Sequence, residues 1–275
     1  MNKKFETILI FVFLVIFTLI TIYPVLNVIG ISLRSENAFN TKSLLLFDKS
    51  SSLKTYIQLF TQTDFLLWIR NSFIVSISVT LLGVILASTS AYALSRFDFK
   101  GRKFGMVAIL TTQMFPATML LLPFFILLSK LSLINSFFGL MIIYSSTVLP
   151  FCIWQMKGFY DTIPKALEES ARLDGCNSFQ AFYKIVLPLS TPALVITALF
   201  SFMSSWSEYV VAAIVLQNPK LYTLPLGLKT FQSSLATEWG LYAAGAIIVS
   251  IPVIILFISL SKYLVSGLTL GGVKG

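Results

Sequence analysis

The sequence predicts an all-α integral membrane protein with six transmembrane helices and a charged helical insert just before the fifth. Of the 275 residues, 56% are hydrophobic and 11% are charged, which is too apolar for a water-soluble domain of this length. Apolar runs of about 20 residues, the length that crosses a bilayer, occur six times. The runs cover residues 8–31, 66–94, 104–128, 137–156, 189–216 and 240–265. We expect these runs to form a single polytopic domain, with the insert at 157–188 and a tail at 266–275.

The first apolar run follows Lys3 and Lys4, an arrangement that secretory signal peptides also show. The run is too long for the apolar part of a signal peptide, and no small-x-small cleavage site follows it. We therefore expect an uncleaved membrane span.

Basic residues predict the orientation of the spans. The loop at 95–103 carries four Lys or Arg residues, whereas the loop between the third and fourth runs carries only Lys130. Because short cytoplasmic loops are enriched in Lys and Arg, residues 95–103 are expected in the cytoplasm. Six spans then place both termini and the insert there too. The first loop, 32–65, is assigned to the outside despite its basic residues, because long loops escape this rule.

The second apolar run carries small residues three or four positions apart. They are Ser72, Ser76, Thr80, Gly83, Ala87 and Ala91. Such a stripe lets another helix approach closely in lipid, although chance in a run rich in Ser and Ala also explains it. Prolines at 116, 123, 150 and 252 are expected to break the third, fourth and sixth spans. The freed backbone groups need protein neighbours, so we expect a packed bundle.

The insert is predicted to form two short helices. Asp161 or Thr162 can cap the first helix, and Gly175 suits the position just past its end. Glu168 and Arg172 are four residues apart and are expected to pair on its surface.

The second helix of the insert can be capped by Asn177 or Ser178. Its Phe179, Phe182 and Tyr183 are spaced to share one face. Charge on one side and exposed aromatic rings on the other are typical of a helix pair that docks on a partner.

Several classes of function are excluded by composition. The chain has no histidine, which removes Ser-His-Asp and Cys-His nucleophilic chemistry. Its two cysteines, Cys152 and Cys176, lack the spacing of metal ligands and face membrane or cytosol, so neither a metal site nor a disulfide is expected. The net charge of +9 is explained by Lys and Arg that flank membrane spans rather than by nucleic-acid binding. No cofactor is expected.

Nucleotide hydrolysis is also not expected on this chain. The glycine-rich end at 267–275 lacks the Gly-Lys step of a P-loop and the helix that follows one. If ATP drives this protein, another chain hydrolyses it.

Glu208 is the one acidic residue deep in an apolar run. A charge at the bilayer centre costs about 2.5–3.5 kcal/mol on insertion scales, so Glu208 should face a cavity or a partner. A pathway residue and a buried structural hydrogen bond both remain open. Tyr209 shares its helical face, whereas Trp206 should pack elsewhere. Gln113 and Asn71 are further pathway candidates, with interhelical polar contacts as the alternative.

The insert resembles the cytoplasmic loop of permeases in ATP-binding-cassette importers. That pattern runs Glu-Ala-Ala, a Gly four residues on, and Ile-x-Leu-Pro after nine more residues; Ser170 replaces the usual first Ala. The matching residues are Glu169, Ala171, Asp174, Gly175, Ile185, Leu187 and Pro188. The resemblance implies that these residues, with Phe179, couple the chain to a separate ATPase.

Further segments are similar to the shorter permease subunit of maltose and maltodextrin importers. They are 71–72, 91–96, 101–102, 113–117, 222–224 and 266–275. The resemblance implies a sister permease, an ATPase dimer and an extracytoplasmic sugar-binding protein in a bacterial or archaeal cell membrane. It also implies that the tail contacts the ATPases through Gly267, Gly271, Gly272 and Lys274. The substrate implied is maltose, maltodextrin or a related oligosaccharide.

A self-contained ion-coupled transporter is the alternative. It would need several ionisable groups within the membrane and an inverted repeat. Only Glu208 qualifies, and no repeat is visible in the sequence.

Overall fold

The computed structural model describes residues 3–34, 51–232 and 237–270, and all regular structure within these ranges is helical. The all-α class is therefore confirmed. In chain order the α-helices are α1 (Lys3–Leu33), α2 (Lys54–Gln62), α3 (Phe65–Arg96), α4 (Arg102–Thr112), α5 (Leu121–Lys130), α6 (Phe137–Thr162), α7 (Ala166–Leu173), α8 (Ser178–Ala181), α9 (Leu187–Leu189), α10 (Thr191–Trp206), α11 (Val210–Val215), α12 (Leu224–Lys229) and α13 (Trp239–Leu270). Two 3-10 turns, Ala117–Leu120 and Pro219–Leu221, and a π-helical turn, Phe182–Val186, complete the elements.

The chain divides into two compact units. The first comprises Met1–Leu66 and Gly227–Ile251, and the second comprises Leu67–Leu226 and Pro252–Gly275. The single polytopic domain stays a prediction.

In the first unit, hydrogen bonds connect the end of α1 to α2. The hydroxyl oxygens of Ser32 and Tyr56 lie 2.8 Å apart. The hydroxyl of Thr55 donates to the carbonyl of Arg34 at 3.3 Å.

Within the described ranges, four helices are long and apolar enough to cross a membrane. They are Lys4–Leu33, Phe65–Arg96, Phe137–Thr162 and Trp239–Tyr263. A fifth candidate is the pair Ser178–Leu189 and Thr191–Trp206, which is bent by 78°. The count of six spans stays a prediction.

Two predicted runs are not continuous helices. The third is split between α4 and α5 at residues 113–116, where Pro116 cannot donate a backbone hydrogen bond and disfavours helix in the residue before it. The fifth stops at Trp206 and resumes at Val210.

The prediction that prolines break the other spans is wrong at two positions. Pro150 lies inside α6 and Pro252 inside α13. Near Pro150, the carbonyl of Thr147 accepts a hydrogen bond from Gln113 Nε2 at 3.2 Å. The carbonyl that Pro150 leaves without an N–H partner is that of Ser146, four residues earlier, so this bond supports the helix beside the proline rather than replacing the missing one.

Five of the six residues in the small-residue stripe of α3 are buried, and Thr80 is half-buried. Ala87 and Ala91 have no exposed surface. A Cβ atom added at Gly83 would lie 2.8 Å from Ser201 Oγ of α10. The two helices therefore approach closely where the side chain is smallest.

Gly83→Leu is expected to destabilise the protein by about 1–3 kcal/mol, because the added side chain overpacks the contact with Ser201. Gly158→Leu is the matched control, since Gly158 is exposed on α6 and a Cβ there meets nothing within 4 Å. In thermal unfolding in detergent, Gly83→Leu should have a lower melting temperature than Gly158→Leu. Equal melting temperatures would show that the close approach contributes nothing.

The second unit has two hydrophobic cores. One contains Tyr92 of α3, Met156 of α6 and Phe182 of the insert, and the other contains Tyr144 of α6 and Val211 of α11. The insert is therefore part of a core rather than a loop that only touches the bundle.

Candidate functional site

The first helix of the insert, α7, ends in a glycine turn. Gly175 has φ +88°, a conformation that side chains with a Cβ rarely adopt. Its N–H donates to the Arg172 carbonyl at 3.0 Å, and the Cys176 N–H donates to the Ala171 carbonyl at 2.9 Å. These two bonds form a Schellman motif, so the predicted role of Gly175 at the helix end is confirmed.

The predicted cap of α7 is wrong. Helix α6 runs through Asp161 to Thr162, and α7 begins only at Ala166. The Asp161 carboxylate instead accepts hydrogen bonds from Ser95 Oγ at 2.6 Å and from Lys157 Nζ at 2.5 Å.

The second helix of the insert, α8, is capped by Asn177, which is one of the two cap residues predicted from the sequence. Asn177 Oδ1 accepts from the Gln180 N–H at 2.8 Å, and Gln180 Oε1 accepts from the Asn177 N–H at 2.9 Å. This reciprocal capping box fixes where α8 begins.

The prediction that three aromatic residues share one exposed face is wrong for Phe182. Phe179 and Tyr183 are 72% and 55% exposed, and their rings stack with centroids 6.4 Å apart. Phe182 is buried, with its ring 4.6 Å from that of Tyr92. The ring of Tyr160 lies 6.4 Å from that of Phe182, so Phe182 faces the core while Phe179 and Tyr183 do not.

The predicted surface pair of Glu168 and Arg172 is also wrong. Glu168 is buried and forms an ion pair with Arg96 at the end of α3. Sequence reasoning missed this contact because the partners are far apart in the chain. The available signal was a basic residue at the end of an apolar run.

The insert thus separates its side chains into two sets. Four exposed side chains, Glu169, Leu173, Phe179 and Tyr183, form what we call the exposed face of the insert. Of the other predicted coupling residues, Asp174 and Pro188 are exposed, Ile185 and Leu187 are half-buried, and Ala171 is buried. Since Ala171 and Phe182 sit in the interior, they hold the exposed face in place rather than form it.

Glu208 lies in the break between α10 and α11. Its carboxylate accepts hydrogen bonds from the hydroxyl of Tyr144 at 2.7 Å and from the Val211 and Ala212 N–H groups at 3.0–3.2 Å. It therefore caps the start of α11. Because residues 207–209 are not helical, the expectation that Glu208 and Tyr209 share a helical face does not hold.

The residues beside Glu208 pack into the protein. Tyr209 is half-buried against the second core. The ring of Trp206 lies 4.7 Å from that of Phe73, and the residue is 1% exposed. Trp206 therefore packs elsewhere, as predicted.

Asn71 forms a structural contact. It is fully buried, and its Nδ2 donates to the carbonyls of Lys220 and Tyr222 at 2.9 and 3.0 Å. These bonds attach α3 to the segment before α12.

Gln113 is exposed at the break between α4 and α5. It borders a cavity of about 350 Å³ whose other polar members come from α4 and α6. The lining includes Thr112, Ser146, Thr147, Phe115 and Phe124. Hydroxyl groups, an amide and aromatic rings thus surround one open space.

The tail is described only in part. Gly267 lies inside α13, which extends beyond the predicted span to Leu270. Gly271, Gly272 and Lys274 lie outside the described residues.

Comparison with known proteins gives concordant matches. The family described as "Binding-protein-dependent transport system inner membrane component" matches residues 79–269. The maltodextrin transport system permease protein MdxG of Bacillus subtilis is 35% identical over 96% of this chain and 95% of its own length. The arabinooligosaccharides transport system permease protein AraQ of Halalkalibacterium halodurans is 34% identical over 93% of this chain and 92% of its own length.

A solved structure is similar over nearly the whole chain. It is a bacterial ABC transporter involved in the import of the acidic polysaccharide alginate, with a TM-score of 0.84 and 26% identity. The match covers 95% of this chain and 97% of that one.

Proposed function

The chain belongs to the family of binding-protein-dependent transport system inner membrane components, and we propose that it is a permease subunit of an ATP-driven sugar importer. In this role it forms half of the translocation pathway together with a sister permease. A separate ATPase dimer hydrolyses ATP, and an extracytoplasmic binding protein delivers the sugar. Both termini and the insert lie in the cytoplasm.

The exposed face of the insert is the observation that carries this proposal. Two capped short helices present Leu173, which is 90% exposed, together with Phe179, Tyr183 and the charge of Glu169. Exposed aromatic side chains that lie together, as the stacked rings of Phe179 and Tyr183 do, mark an interaction site. The remaining buried residues of the insert anchor it to the bundle, so a partner that binds this face can act on the spans.

The substrate is proposed from the similar proteins. They are named for maltodextrin and for arabinooligosaccharides, and the similar structure belongs to an alginate importer. Chains of sugar units are common to all three. We therefore propose maltose, maltodextrin or a related oligosaccharide as the substrate.

Of the four pathway candidates, Gln113 has the strongest support. It borders a cavity with hydroxyl groups and aromatic rings, the groups that hydrogen-bond to sugars and stack on them. Gln113 also donates to a backbone carbonyl, that of Thr147, but it does so at the edge of this cavity. Asn71, Glu208 and Tyr209 do not line the cavity: the first two are engaged with backbone elsewhere, and Tyr209 packs on a core. We also propose that the tail contacts the ATPases through Gly267, Gly271, Gly272 and Lys274.

The test is co-purification of the chain with its ATPase. Phe179→Ser is expected to weaken the association at least about tenfold, because truncating an exposed aromatic anchor of an interface costs ~2 kcal/mol or more. Phe99→Ser is the matched control, since Phe99 is likewise exposed, at 50%, but lies in the loop between α3 and α4. ATPase recovery that is equal in wild type, Phe179→Ser and Phe99→Ser would contradict the docking role of this face.

A further inference from the structure

A buried ion pair fastens the insert to the end of α3. Arg96 Nε contacts Glu168 Oε1, and the two side chains are only 5% and 4% exposed. Charged side chains buried to this degree must be paired, since an isolated charge would lose its hydration without compensation.

The remaining polar atoms of the pair are also engaged. The hydroxyl of Tyr92 donates to Glu168 Oε2 at 2.7 Å. Arg96 Nη2 donates to the carbonyl of Ile163 at 3.0 Å, and Nη1 donates to Ser95 Oγ at 3.1 Å. Arg96 therefore contacts both the segment that enters the insert and its first helix.

The last turns of α3 contact the insert at three places. Ser95 binds Asp161 at the end of α6, and Arg96 binds Glu168 in α7. The ring of Tyr92 packs on Phe182 at the end of α8. Side chains within a single stretch of α3 thus hold both helices of the insert.

Stability alone is a poor explanation for this arrangement. Well-packed apolar residues often stabilise a site as much as a buried ion pair does, or more. Charged hydrogen bonds have defined directions, however, so they fix the orientation of α7 against α3 more narrowly than apolar packing can.

Movement of α3 would reach the opposite end of the second unit. The same helix contacts α10 at Gly83, and its Asn71 binds the backbone at Lys220 and Tyr222. A continuous helix between residues 71 and 96 connects these contacts to the insert.

We propose that Arg96 and Glu168 are positioning residues that transmit displacement of the exposed face of the insert to α3. This inference rests on the proposed function, because it needs an ATPase that moves the exposed face. Without the pair, the ATPase can still bind and hydrolyse ATP, but its movement no longer drives the spans.

The test compares Arg96→Gln, Glu168→Gln and the double variant in proteoliposomes with the sister permease, ATPase and binding protein. Arg102→Gln is the matched control, since Arg102 pairs with the exposed Asp98 on the same side of the membrane at 2.5 Å. Each single variant should lower the number of maltodextrin molecules imported per ATP at least about tenfold while the ATPase still co-purifies and hydrolyses ATP. The double variant should be no worse than either single variant, since both remove the same interaction.

Tyr92→Phe keeps the inference testable if the charge variants do not assemble. It removes one hydrogen bond to Glu168, and import per ATP should fall about two- to tenfold with assembly unchanged. Unchanged import per ATP in Tyr92→Phe would overturn the inference, as would a parallel loss of ATPase association, hydrolysis and import in all variants. If the wild-type complex does not form or import sugar, the proposed function itself fails, which is a distinct result.

Discussion

Replacing Gly175 by Val is expected to separate ATP hydrolysis from sugar import. Gly175 has φ +88°, and a Cβ there would meet no atom within 4 Å, so the effect is conformational rather than a clash. A β-branched residue in this region costs of order 1–3 kcal/mol. The chain avoids this cost by opening the turn, which breaks the Schellman bonds and reorients Phe179 relative to Glu169.

Proteoliposome assays of ATP hydrolysis and sugar uptake measure this effect. Gly175→Asn is the conservative control, because Asn tolerates the left-handed region better than Val. Gly158→Val tests the effect of valine itself at an exposed helical position. Wild-type hydrolysis and uptake in Gly175→Val would contradict the assignment of the insert as the coupling element.

Replacing Glu208 by Leu is expected to prevent stable folding. Three donors would lose the carboxylate as acceptor: the N–H groups of Val211 and Ala212, and the hydroxyl of Tyr144, which would keep only a 3.5 Å contact with the backbone carbonyl of residue 208. Tyr144 is only 2% exposed, so water does not readily replace the lost bond. Each buried donor left unsatisfied costs about 1–3 kcal/mol, and the losses occur together.

Glu208→Gln is the matched control, because its amide oxygen can still accept. Thermal unfolding and complex assembly should be close to wild type in Glu208→Gln and lost in Glu208→Leu, with uptake following assembly. Intact assembly in both variants with uptake abolished in both would instead show that Glu208 is a charge-dependent gate.

Local features of the insert could be predicted from sequence. Gly175 and Asn177 act through hydrogen bonds to residues within four or five positions, so the short-range rules of helix ends suffice to place them. The stripe around Gly83 was likewise visible, because helical spacing alone puts its members on one face.

Long-range features could not be predicted. Glu168 and Glu169 are adjacent and chemically alike, and what turns Glu168 inward is Arg96, 72 positions away in the chain. The burial of Phe182 could not be predicted either, because the rings that cover it, those of Tyr92 and Tyr160, come from distant parts of the chain. The helix break at 207–209 could not be predicted because it contains no Pro or Gly. Glu208 caps the helix that follows.

ATP-driven uptake of labelled maltodextrin into proteoliposomes tests the central claim most directly. The vesicles contain this chain with its sister permease and ATPase, and the sugar-binding protein is supplied outside. We expect uptake only when ATP is present and only when every component is present, because we propose that a separate ATPase hydrolyses the ATP. Uptake by this chain alone on an ion gradient, without ATP or ATPase, would contradict the account and establish an ion-coupled transporter.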